Sequence, residues 1–213
     1  YNRIAAAMGF RAENIVTSDQ THTCNVRKVT EKDRGKGIVT PRDYTDIDGM
    51  ITNVPSLVLA TFYADCVPLY FVDPLHHAIG LSHSGWRGTV QKIGEVTIKK
   101  MAEEYGSNPK DMKVAIGPSI CQDCYEVSLD VIEEFKNAFD QKHWDKLFYG
   151  KDNGKYQLNL WEANRIIFTE AGICPENISM PNICTCCNPK FLFSHRASHG
   201  KRGNLGAFLG IRE

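Results

Sequence analysis

The chain has 213 residues, 42% hydrophobic and 23% charged, with 25 basic and 25 acidic side chains and a formal net charge of zero. That length suits one large domain or two small ones with room for a substantial core. The charge balance argues against the basic footprint of nucleic-acid binding, and no run approaches the roughly 20 apolar residues of a membrane span.

The start, YNRIAAAMGF, reads as the last turns of a helix stopping at Gly9 and has neither an initiator Met nor the pattern of a signal peptide. The chain is therefore expected to begin inside a longer protein. NIVTSDQ and CNVRKVT read as strands flanking the polar turn Gln20-Thr21-His22-Thr23, and EKDRGKG as a charged loop. Residues 56–64, 67–73 and 76–83 are apolar, β-branched and aromatic runs, short enough to favour strands. Residues 89–105 carry Val90, Ile93, Val96 (or Thr97) and Met101 at helical spacing and stop at Gly106. MKVAIG reads as a short buried strand. Residues 128–139 read as an amphipathic helix with Ser128 as N-cap, YQLNL as a strand, and 161–172 as a helix ending on glycine. KFLFSHR and LGAFLGI read as closing strands. With no linker and no repeat, the sum is one α/β domain with mixed sheets.

Eight cysteines in a chain of this size, with nothing to suggest export, point to reduced thiols and a cytoplasmic setting rather than a disulfide framework. Cys121-x-x-Cys124 with Cys184-x-Cys186-Cys187 could form a structural zinc site, although the second cluster has the wrong spacing for a zinc ribbon. Three polar residues fall at strand ends: His22, Cys66 and His83. Two imidazoles and a thiolate suit zinc, and three protein ligands leave a fourth position open, as catalytic sites do. The plain alternative is a buried cysteine with two backbone-satisfied histidines; a nucleophilic Cys66 with His83 as its base uses the same residues. Asp65 could orient a ligand histidine, hold a proton or cap a turn. Arg87 offers a fork of donors for an anion or makes a surface ion pair. The tail SHRASHGKRGNLG brings cations and glycines that suit an anion.

The blocks DQTHTCNV, ATFYADCVPLYFVDP, IGLSHSGWRGTV, AIGPSICQDCYEVS, LNLWEANRIIFTEAGI and FLFSHRASHGKRGNLGAFLGI follow in that order. Together they resemble the YfiH family, long labelled polyphenol oxidase or laccase-domain proteins, over nearly the whole chain. The resemblance implies that residues 1–213 form one YfiH-like domain lacking an N-terminal strand region. It implies an α/β sandwich shared with a toxin deamidase, and zinc held by His22, Cys66 and His83. Two departures stand out: Thr23 follows His22 where the family has glycine, and SHRASHGKRG replaces S-Y-R-R-D-G, so that Arg196 matches and not all its neighbours do.

The family carries two activities. One is copper-dependent phenol oxidation; a multicopper oxidase needs many histidines around several coppers, and this chain has seven histidines in all. The other is phosphorolysis of adenosine, inosine, guanosine and methylthioadenosine, with adenosine deamination in the same site. That reading gives His22, Cys66, His83 and Asp65 catalytic roles and Arg87 and Arg196 the phosphate, with Trp86 or Tyr63 stacking on the base. Purine nucleosides and phosphate are then the partners, with no nucleic acid, no membrane and the oligomeric state left open. A non-catalytic zinc or thiol module is the third reading.

Overall fold

The computed structural model describes residues 1–212. The first half contains α1 (Asn2–Met8), β1 (Ile15–Thr17), β2 (Val26–Lys28), β3 (Gly49–Thr52), β4 (Val58–Tyr63), β5 (Val67–Asp73) and β6 (Ala78–Ser84). Next come α2 (Trp86–Val90), α3 (Ile93–Tyr105), β7 (Lys113–Ile116), β8 (Glu126–Val127) and α4 (Leu129–Ala138). The chain closes with α5 (Trp144–Leu147), β9 (Phe148–Gly150), β10 (Tyr156–Leu158), α6 (Leu160–Glu170), β11 (Ile178–Ser179) and β12 (Leu205–Gly210).

Six strands form the main sheet in the order β11-β7-β5-β6-β3-β2. Its centre is antiparallel, whereas β2 joins β3, and β11 joins β7, in parallel. A second sheet, β1-β4-β12, lies against one face of the first, and a small third sheet, β8-β10-β9, stands apart. The expected mixed-sheet α/β sandwich is the architecture found.

Period-two alternation explains the layers. In β3, Ile51 packs with the helices and Met50 with the second sheet; in β4, Leu59 faces the main sheet while Val58 and Ala60 face α1. Strands covered on both faces carry near-continuous apolar runs, which is why β4, β5 and β6 are legible in the sequence. The larger core lies between the main sheet and α3, α4 and α6. Phe71 of β5 meets Phe168 of α6 edge-on there, with ring centroids 5.4 Å apart. Phe71 is fully buried, so Phe71→Ala is expected to cost about 3–5 kcal/mol, read as a lower midpoint in denaturant unfolding.

Three expectations need correction. The helix over 89–105 is two helices: Lys92 adopts a left-handed φ of 56° between α2 and α3. The break leaves Thr89 bonded to Ser84 and Gly85 at the sheet end, while α3 lays Ile93, Ile98 and Met101 on the core. KFLFSHR is not a strand. The amides of Phe191 and Leu192 turn back onto the Asn188 carbonyl, and Phe191 and Phe193 face solvent. Ser128 occupies the N-cap of α4, but its hydroxyl donates to Asp130 rather than capping a backbone amide. No helix among the described residues is long and apolar enough to cross a membrane.

Candidate metal centre

Three chain segments converge at one end of the two sheets. Cys66 ends the short turn between β4 and β5, His83 sits near the end of β6, and His22 lies in the turn ahead of β2. Their ligand atoms all fall within 4.8 Å of one another, and the two imidazoles meet edge-on with centroids 5.0 Å apart. His83 is 4% exposed, whereas His22 is open to solvent. The backbone of Gly85 closes the floor. A Cβ there would stand 3.0 Å from His22 Cδ2 and 3.2 Å from Cys66 Sγ. Gly85→Ala is therefore expected to displace both side chains and weaken any metal binding at the cluster, measured by chelator competition. The fold should hold, because φ is −74° at this position, where any residue fits.

Asp48, which the sequence reading passed over, organises the cluster. It lies just before β3 and is fully buried. Oδ1 accepts from His83 Nδ1 at 2.8 Å and from the His22 amide at 3.2 Å. Oδ2 accepts from the amides of Thr21 and Thr23 at 3.0 and 2.9 Å and from the Thr23 hydroxyl at 3.0 Å. One carboxylate thus fixes the His83 tautomer, freeing Nε2 for the cluster, and knots the turn that presents His22. It is the carboxylate–histidine pairing that orients metal-ligating imidazoles. His22 has a left-handed φ of 67°. Thr23, following it in place of the family's glycine, contributes two of the five bonds to Asp48.

Electrostatics favour a thiolate at Cys66. Burial works against the charge, but hydrogen bonds with His22 and His83 outweigh it and pull the thiol down to about 6. Burial likewise opposes charge on His83, and its bonds to Asp48 and Cys66 outweigh that and push it up to about 9, so that a metal binding at Nε2 displaces a proton while Asp48 keeps the one on Nδ1. Asp48 is desolvated too, yet His83 and the turn amides hold its carboxyl below the usual range.

Asp65 does not orient a histidine; Asp48 does. Asp65 has a left-handed φ of 81°, and its carboxylate accepts from the Thr185 hydroxyl and the Arg196 amide, each at 2.7 Å. It braces the turn carrying Cys66 against the C-terminal loops. The Arg196 guanidinium donates to the carbonyls of Cys124 and Glu126 at 3.2 and 2.8 Å. Arg87 is exposed and stacks over the Trp86 ring at 4.3 Å, outside the lining of the cavities at the cluster.

Two adjoining cavities open over the cluster. One, of about 300 Å³, is lined by Arg42, Phe62 and Tyr63; the other, of about 360 Å³, by Trp86, Tyr125, His195 and Arg196. His22, Cys66 and Arg202 border both. Their volumes suit a small-molecule site. The tail singled out in the sequence thus reaches the cavities through His195, Arg196 and Arg202. Arg42 was not anticipated; it is held by Asp19 at 2.7 Å. Burial raises the phenols of Tyr63 and Tyr125, keeping both neutral hydrogen-bonding groups.

The donor set fits zinc. Bonds of about 2.3 Å to sulfur and 2.0–2.1 Å to nitrogen need ligand atoms within a few ångström of one another, as here, and the cavities leave room for a fourth ligand. The other five histidines lie outside the cluster, with His76 on Asp73 and His143 on Glu170.

Residues 1–212 match a family model described as multi-copper polyphenol oxidoreductase laccase. The chain is 40% identical over 202 residues to the purine nucleoside phosphorylase YlmD of Bacillus subtilis, covering 93% of this chain and 71% of that protein. An adenosine deaminase from an unknown prokaryotic organism is 33% identical over 194 residues, covering 91% and 73%. The crystal structure of a hypothetical YfiH protein from Bacillus licheniformis superposes with a TM-score of 0.93 at 36% identity, covering 99% of this chain and 79% of that one. Fold, motifs and these matches agree: the chain belongs to the YfiH, or laccase-domain, family.

Proposed function

We propose that the chain is a zinc-dependent purine nucleoside phosphorylase, acting on adenosine, inosine, guanosine and methylthioadenosine, that also deaminates adenosine. The observation that carries this reading is the His22–Cys66–His83 cluster opening on two cavities with cationic and aromatic walls. The names of the relatives supply the substrate class.

His22, Cys66 and His83 would hold the zinc, which would supply a Lewis acid to the site. The chain's own residues do the rest. Asp48 holds the proton on His83 Nδ1 and so keeps Nε2 free. Arg202, between the cavities, and Arg196, in the wall of one, offer positive charge to phosphate. In phosphorolysis a phosphate oxygen forms a bond to ribose C1′ as the C1′–N9 bond breaks, and the base leaves with the electron pair and gains a proton. In deamination a water oxygen bonds to C6 and ammonia departs. Trp86 and Tyr125 give the base an apolar wall. Arg87, stacked on Trp86, acts through that ring rather than on the phosphate.

Incubating the zinc-loaded chain with inosine and phosphate is expected to release hypoxanthine and ribose 1-phosphate, and adenosine alone to give inosine. Copper-dependent oxygen uptake with a phenol, and no nucleoside turnover, would overturn the reading in favour of the oxidase that the family description names. Metal bound without turnover of either kind would leave a zinc or thiol binding module. The expected setting is the cytoplasm, where thiols stay reduced.

A further inference from the structure

Seven cysteines lie outside this cluster, and four of them come together elsewhere in the fold. Cys121 and Cys124 flank a short turn ahead of β8, and Cys184 and Cys187 lie in the loop between β11 and β12. All four are free thiols, and their sulfurs fall within 4.8 Å of one another. We propose that these four sulfurs hold one zinc ion in a tetrahedral tetrathiolate site, distinct from the His22–Cys66–His83 cluster and structural rather than catalytic.

The spacing corrects the sequence reading. Taken as Cys184-x-Cys186-Cys187, the second cluster looks wrong for a zinc ribbon. The fold sets Cys186 aside from the four-sulfur group and against the core, and Cys184-x-x-Cys187 then repeats the spacing of Cys121-x-x-Cys124. Two such pairs from separate loops are the usual source of a closed zinc site.

The separations agree. Zinc–sulfur bonds of about 2.3 Å place the sulfurs of a tetrahedron about 3.8 Å apart. Cys187 lies 3.5 Å from Cys124 and 4.0 Å from Cys121. Four sulfurs all within 4.8 Å of one another, at 3.5 and 4.0 Å where they approach, describe a cage around a centre and not the bonded pairs of disulfides. An iron–sulfur cluster, with several metals between its cysteines, needs a wider cage. Backbone amides add to the fit: those of Cys121 and Cys187 donate to Cys184 Sγ at 3.3 and 3.4 Å. Such bonds stabilise thiolate charge.

The position gives the ion its work. Between the two cysteine pairs, Ser119 and Thr185 exchange backbone bonds with the opposite loop. Thr185 donates to Asp65, and Arg196 donates to the carbonyls of Cys124 and Glu126. A zinc clamp therefore fixes the wall carrying Tyr125 and Arg196 and, through Thr185, the turn carrying Cys66.

The test uses the Cys66→Ser chain, in which the other site is disabled, prepared without a polyhistidine tag. It is reduced, incubated with zinc and passed over a desalting column. Elemental analysis is expected to give one zinc per chain, and X-ray absorption at the zinc edge four sulfur neighbours at about 2.3 Å. Adding Cys124→Ser should remove that zinc. No retained zinc in Cys66→Ser, nitrogen or oxygen in its first shell, or iron in the freshly purified chain in its place would each overturn the assignment. Because the readout is coordination and not turnover, it stands or falls separately from the nucleoside reading.

Discussion

Cys66→Ser is expected to abolish nucleoside phosphorolysis while leaving the fold intact. The swap replaces a sulfur that the two histidines draw towards thiolate by a hydroxyl that stays neutral near pH 7. Loss of an outer-shell partner typically lowers metal affinity or activity by about 10–100-fold, so loss of one of only three direct ligands should exceed that range in kcat/KM for inosine. Zinc content should fall by one equivalent, with the cysteine-cage ion retained. The side chain is small and sits at a turn between strand ends, so the thermal midpoint should move little. A chelator followed by zinc separates this role from that of a nucleophilic thiol. If Cys66 is a ligand, stripping the wild-type chain stops turnover and zinc restores it. If the thiol is the nucleophile, activity survives the chelator. Wild-type turnover by Cys66→Ser would remove the basis of the proposed mechanism.

The family's laccase label and the geometry point to different chemistry. Reduction of oxygen to water by a multicopper oxidase consumes four electrons and uses several coppers held mainly by histidines. Here two of seven histidines share one cluster with a single cysteine, and among the described residues the other metal-competent group is all sulfur. Neither resembles a multinuclear copper array. A three-donor cluster open to cavities with arginines in their walls suits polarisation of an oxygen beside an anion.

The strands that flank Cys66 and the strand that carries His83 were legible because both faces of β4, β5 and β6 are buried, so their apolar runs are nearly unbroken and polar residues at their ends stand out. His22 was legible as a polar residue in a turn between two such runs. Asp48 was not. It precedes β3, a four-residue strand whose start, Asp-Gly-Met, looks like a loop, and its partners His22 and His83 lie 26 and 35 residues away. The available signal was β-branched Ile51 and Thr52 following an aspartate. Arg87 reads in the sequence as a fork for an anion or half of a surface ion pair; α2 is short and turns it outward onto Trp86, a placement its letters do not show. The second Cys-x-x-Cys was written in plain letters and hidden by Cys186, since letters alone do not say which of two adjacent cysteines points into a cage.

Asp48→Asn is expected to weaken zinc binding at the histidine cluster by about 10–100-fold or more, although the two side chains have nearly the same shape. The reason is a conflict of donors. If the amide oxygen faces His83 Nδ1, the NH2 group points at the amides of Thr21 and Thr23, which now donate to Oδ2. The turn holding His22 then loses its anchor, and buried donors left unpaired cost about 1–3 kcal/mol. If the side chain flips, its NH2 faces His83 Nδ1, which can pair only by becoming an acceptor. The ring proton then moves to Nε2, the nitrogen needed for the metal. Either orientation disables one imidazole, whereas aspartate serves both. Competition with a chelator of known affinity reads the loss, and kcat/KM for inosine should fall with it. The cysteine-cage ion should be unaffected, which separates a local effect from unfolding. Zinc affinity equal to wild type in a folded Asp48→Asn chain would show that His83 needs no partner to present Nε2, and that the buried carboxylate serves only the turn.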